Sequence, residues 1–167
     1  MARLQRLLTN LFGQWFAMRR RFPESLLEEM TAAIAAGERT HRGEVRFAVE
    51  SRLAPWLVLE GVDAVARARQ VFAQLHVWDT EHNTGVLLYV LMAERRIEIV
   101  ADRGIAHRVA QPEWDDICAS MRNSYASGRW RDGSLTGISA AHALLAKHFP
   151  SDGTDNPDEL PDRPVLL

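Results

Sequence analysis

The strongest constraint on the fold is a run of eight apolar residues, 86–93, that opens Val86-Leu87-Leu88-Tyr89-Val90-Leu91. A strand with one wet face alternates apolar and polar residues, whereas one with no polar positions must be covered on both faces. The rest of the chain therefore has to supply two covering layers. The run is far shorter than the ~20 apolar residues of a membrane-crossing helix.

The remaining sequence offers mostly helices. Residues 2–21 repeat Leu4, Leu7 or Leu8, Leu11, Trp15 and Met18 at helical spacing, with Phe12 and Phe16 widening the stripe. Pro23 opens a second helix carrying Leu26 or Leu27, Met30 and Ile34, with Gly37 expected at its end. Residues 45–53 alternate. Val45, Phe47 and Val49 point one way and Glu44, Arg46 and Glu50 the other, so this strand is expected to have one solvated face. A helix is expected from about 61 to 76, before the apolar strand. The charged turn Glu94-Arg95-Arg96 leads into a hairpin partner with Ile97, Ile99 and Ala101. Trp114, Ile117, Cys118, Met121 and Tyr125 form one helical stripe stopped by Gly128. Gly133 is read as the break before a last helix with Leu135, Ile138, His142, Leu145 and Phe149 inward. Beyond Pro150 the chain reads as an extended tail.

This order predicts an α/β protein: a three-layer α/β/α sandwich with a small mixed sheet, plus an N-terminal amphipathic helix. The organisation expected is a basic helix at 1–22, the sandwich at 23–149 and an acidic tail at 150–167. The strand at 45 should run parallel to the strand at 85.

The formal net charge of −2 gives no general reason to bind nucleic acid. It hides a split. Residues 1–22 hold five arginines and no acid, and residues 150–167 hold five acids and one arginine. Either the termini pair with each other or the helix is reserved for something else. Cys118 is the single cysteine, so no internal disulfide exists, and its apolar helix face marks an inert buried thiol. The apolar part of the N-terminus precedes its arginine cluster, the reverse of a signal peptide, and a cytoplasmic protein is expected.

Topology collects acids at one end of the sheet. The starts of strands one and two and the end of strand three bring together His41 and Glu44, then Asp79, Glu81 and Asn83, then Asp102 and Arg103. Carboxylates and an amide are the oxygen ligands that calcium or magnesium requires, which makes Asp79, Glu81, Asn83 and Asp102 candidate ligands. His41 and Glu44 are the candidates for proton transfer. No Walker loop, dinucleotide fingerprint or helical zinc pair is present. Phe12, Trp15 and Phe16 beside Arg19, Arg20 and Arg21 form the second candidate, a docking face for a membrane interface or a protein partner.

Several separated motifs, in order, resemble one family. Asn83-Thr84-Gly85 running into the apolar strand, then the stretch Arg96-Ile97-Glu98-Ile99-Val100-Ala101-Asp102-Arg103-Gly104-Ile105, is similar to the core signature of TPM domains. Tyr125, Gly128 and Gly137-Ile138 resemble its closing pattern. His41-Arg42-Gly43-Glu44 and Glu159-Leu160-Pro161-Asp162 resemble the bacterial, non-secreted branch. The resemblance covers roughly residues 23–149 and the tail. It implies the same sandwich and a range of activities: phosphatase, divalent-metal binding, or an accessory role at membranes. Asp102-Arg103-Gly104 departs from the glycine–aromatic–glycine turn of exported members.

The reading that results is a TPM-like accessory domain at the inner membrane face or on a membrane-linked partner, with calcium or magnesium as the cation it would bind. One alternative is a metal-assisted phosphatase in which Asp79 and Asp102 hold the cation and Glu44 or His41 moves protons. The other is an oligomerisation domain using the Phe12/Trp15 face.

Overall fold

Three strands and a short fourth form one sheet. The computed structural model describes residues 2–11, 15–153 and 159–167. In chain order the elements are α1 (Ala2–Leu11), α2 (Trp15–Arg21), α3 (Glu24–Glu38), β1 (Glu44–Glu50), α4 (Pro55–Leu59), α5 (Ala64–Gln74), β2 (Gly85–Leu91), β3 (Arg96–Ala101), α6 (Arg103–Ala106), α7 (Gln111–Ala126), α8 (Trp130–His148) and β4 (Val165–Leu166). β1 runs parallel to β2 with Glu44 opposite Gly85, and β3 runs antiparallel to β2 with Ala101 opposite Val86.

The apolar run becomes β2, and all seven of its residues are buried. Alternation sends Val86, Leu88 and Val90 into a core with α2, α3, α7 and α8, and Leu87, Tyr89 and Leu91 into a second core with α4 and α5. Two cores on opposite faces of one sheet make the three-layer α/β/α sandwich. Its helical stripes also appear as expected: Trp114, Ile117, Cys118, Met121 and Tyr125 are all buried on α7.

Five expectations change. β1 has no solvated face, for all seven residues are buried. The polar row is lined rather than wet. Arg67 of α5 forms an ion pair of 2.8 Å with Glu50, and the Tyr89 hydroxyl donates to the same carboxylate. Period-two alternation records which side is polar; it does not record whether water or protein satisfies the polar groups. The tail supplies the rest of that cover. Residues 165–166 add β4 parallel to β1, Leu160 is buried, and Arg46 donates to the Arg163 carbonyl at 3.2 Å.

Gly133 lies inside α8 rather than before it. A Cβ there would meet Tyr125 and Ser124 at 2.8 Å, so the glycine permits close approach of α7 and α8. The stretch from Pro55, expected as a loop, forms the short helix α4, and the helix expected over 61–76 is α5. Pro55 starts the first, Gly61 at φ 82 turns the chain, and Asp63 caps the second by accepting from the Ala66 N–H. The N-terminal stripe lies on two helices, α1 and α2, with Phe12 outside the described residues.

Candidate functional site

The amino end of the parallel strands holds the residues expected to act. His41 and His142 are buried and stacked, with ring nitrogens 2.7 Å apart. The Gly43 N–H donates to His41 Nδ1 at 3.0 Å, so the His41 proton sits on Nε2 and donates to His142 Nδ1. The His142 proton is then on Nε2, which is buried without a partner. Both imidazoles are lowered to about 4, by burial in each case, with repulsion from His142 as a second cause at His41. Gly37 makes room for this ring: a Cβ would lie 2.2 Å from it. Gly37 therefore sits inside α3, one residue before its end. A proton acceptor needs a free lone pair reachable by substrate, and this pair has neither.

Glu44 is also buried, accepting from the Leu160 N–H at 3.4 Å. Nearby Glu38 accepts from the Val45 N–H at 2.7 Å; burial, then the charges of Glu44 and Asp162, push its carboxyl well above the usual range, so it is held protonated. The tail thus closes over a buried carboxyl group.

The proposed cation ligands are placed differently. Asp79 and Glu81 are exposed, and Asn83, at φ 54, accepts from Arg103 Nε at 3.0 Å. Asp102 caps α6 by accepting from the Arg103 N–H at 2.7 Å, and its other oxygen is buried without a partner. Among the described residues, no three His, Cys, Asp or Glu side chains converge where a metal ion would sit. The Arg103 guanidinium also brings positive charge to this place. As placed, the set does not fit a cation, and no reaction step is derived through one. What the motif residues do is close the end of the sheet. Asp102 N–H donates to the Gly85 carbonyl and Gly104 N–H to the Asn83 carbonyl, at 2.9 and 3.0 Å.

The opposite end is basic. Two hollows, of about 780 and 560 Å³, share Arg21, Gly128 and Trp130 and form one trough. Trp130 is the ridge between them: Tyr125 stacks on it at 4.4 Å, and the Arg21 guanidinium lies 4.6 Å over the ring. Arg20, Arg129 and Arg131 line one hollow and Arg95, Arg96 and Arg122 the other. α2, the hairpin turn, the end of α7 and the start of α8 contribute these arginines, so the sequence marked the clusters at 19–21 and 94–96 but not that they meet Arg122, Arg129 and Arg131. The terminal-pairing question is answered in part. Arg19 lies over Trp15 at 4.9 Å, neither Arg19 nor Arg20 pairs with an acid among the described residues, and Asp152 pairs with Arg42 instead.

The helices, strand order and glycine-tight loops can be set beside known proteins. The sequence profile of the TPM domain matches residues 22–144. The chain belongs to the TPM domain family. A similar solved structure is the BA42 protein from the psychrophilic bacterium Bizionia argentinensis, determined by NMR. It is 29% identical, with a TM-score of 0.75, over 86% of this chain and 93% of that one. The N-terminal domain of a P. gingivalis protein shares the fold at 17% identity and a TM-score of 0.60, over 77% of this chain and 80% of that one. No curated protein matches the sequence.

Proposed function

We propose that this TPM domain docks peripherally on an anionic membrane surface, the inner leaflet in the sequence reading, through α1 and α2. The observation that carries the proposal is that α1 packs by its polar side. Arg6 pairs with Glu94 at 2.9 Å, and the Asn10 side chain accepts from the Leu53 N–H at 2.7 Å. Leu7 joins them against the second core, while Leu4, Leu8 and Leu11 face outward, at 66%, 51% and 48% exposure. Their spacing of four and three residues puts them on one face of the helix. α2 continues the pattern: Met18 is buried, and Phe16 is 87% exposed beside Arg19 and Arg20. Trp56 and Leu59 on α4, against which α1 packs, are exposed as well.

Such a surface matches a lipid interface. Each apolar side chain fully inserted contributes about 1.5–3 kcal/mol, and each arginine near anionic headgroups about 1 kcal/mol. Among the described residues, no helix is long and apolar enough to cross a membrane, so the proposal is attachment, not insertion across it.

Co-sedimentation of the full chain with phosphatidylglycerol-containing vesicles tests this. Binding is expected to exceed that to neutral phosphatidylcholine vesicles, to weaken with salt, and to fall in Leu4→Ser/Leu8→Ser/Leu11→Ser. No binding, or binding indifferent to the triple substitution, refutes it. A dimer by light scattering that the same substitutions convert to a monomer would assign this face to self-association instead.

A further inference from the structure

The trough at the other side of α2 has a chemistry of its own. Among the described residues, the smaller hollow is lined by Arg21, Arg95, Arg96 and Arg122 and by no acid, in a chain with a net charge of −2. Arg96 is paired with Glu98, but neither Arg95 nor Arg122 pairs with an acid among the described residues. Arg95 is also held at φ 53, a region that favours glycine or asparagine. In the larger hollow the acids Glu29 and Asp132 both face Arg131, which leaves Arg20 and Arg129 without an acidic partner among the described residues. Between the arginines the lining is apolar: Leu26 in one hollow, Val90, Met92 and Ile97 in the other. The residues 90–92 place the smaller hollow at the carboxyl end of β2, the end at which open α/β sheets bind ligands.

We infer that this trough is a docking groove for an acidic, extended peptide segment of a partner protein. The arginines are strung along the trough rather than aimed at one point, so they suit a row of carboxylates better than one compact anion. The apolar stretches between them suit intervening apolar side chains. A single-stranded nucleic acid needs an aromatic face on which a base can stack. Trp130 already carries Tyr125 and Arg21 against its ring, and Phe16 at the margin of the larger hollow is a single exposed ring, short of the row of platforms that successive bases need. A membrane needs a flat or convex apolar surface, and this site is a hollow.

The test uses the full chain and a fluorescein-labelled peptide of three Glu-Glu-Leu repeats, with the Gln-Gln-Leu peptide as control. Anisotropy is expected to detect tighter binding of the acidic peptide, weakening with salt. Arg95→Glu/Arg122→Glu is expected to reduce its affinity roughly tenfold or more, with little change in vesicle binding. Leu4→Ser/Leu8→Ser/Leu11→Ser, at residues that line neither hollow, is expected to leave peptide binding intact, which separates this site from the membrane face. Amide NMR on the unsubstituted chain, expected to report shifts at Arg95, Arg122 and the Trp130 indole, covers a variant that fails to fold. Equal affinity for both peptides, no loss in the double variant, or shifts elsewhere overturns the inference. So does loss of vesicle binding in the double variant without any peptide binding by the unsubstituted chain.

Discussion

Acid should strain the fold at one identifiable place, the His41–His142 pair. Both acceptor nitrogens are in use: His41 Nδ1 by the Gly43 N–H and His142 Nδ1 by His41 Nε2–H. A further proton on either ring displaces a donor and places a charge in a buried site. Each imidazole is lowered from 6.5 to about 4, burial being the largest cause. The unfolded chain therefore takes up protons below pH 6.5 that the folded chain refuses until about pH 4. Stability from the pair is full above pH 6.5 and is lost as pH falls through that window. Between pH 7 and pH 5 one such group loses about 2 kcal/mol, and two acting independently about 4 kcal/mol. Glu38 works in the opposite direction. Its raised carboxyl favours the folded state as pH falls, so the total stability curve mixes both effects. The assay is therefore residue-specific: NMR titration of the two imidazole rings, backed by urea unfolding at pH 7 and pH 5. Neither ring should titrate between pH 8 and pH 5, and His142→Gln should reduce the acid-dependent loss by about 2 kcal/mol. A ring titrating near 6.5, or an unchanged pH dependence in the variant, refutes the reasoning.

Three further outcomes follow from packing. A Cβ at Gly85 would stand 1.9 Å from the Val77 carbonyl, whereas one at Gly137 would stand 2.4 Å from the flexible Met121 thioether. Gly85→Ala is thus expected to lower the unfolding free energy in urea more than Gly137→Ala, by at least the ~1–3 kcal/mol of an overpacked core. Glu50→Gln leaves the half-buried Arg67 without its counter-charge, with an expected cost in urea unfolding below the ~3–5 kcal/mol of a fully buried pair, and Glu50→Gln/Arg67→Met should recover part of it. Cys118, buried and with its thiol pushed up to about 12, should be inert to Ellman's reagent at pH 8 when folded and reactive once denatured.

Much of the architecture was legible because its signals are local. The apolar run fixed a doubly covered strand, the five-residue stripe on α7 fixed a buried helix face, and the parallel β1–β2 crossover followed from element order. The separated glycine motifs likewise carried the TPM resemblance. The errors share one cause, that residue type does not name the neighbour. Glu50 looks solvated until Arg67 and Tyr89 arrive from distant positions. Gly133 looks like a helix break until Tyr125 lies against it. The acidic tail looks loose until residues 165–166 find the open edge of β1.

The candidate sites divide in the same way. The sequence by itself determined the two-sided sheet, the amphipathic N-terminus and the buried thiol, since each depends on periodicity along one segment. Only the tertiary structure decided that His41 is locked to His142, that Asp102 is spent on capping a helix, and that arginines from a hairpin and three helices share one trough. Those facts depend on through-space neighbours, and burial gives a charge or a hydrogen-bond acceptor its chemistry only after every neighbour is in place.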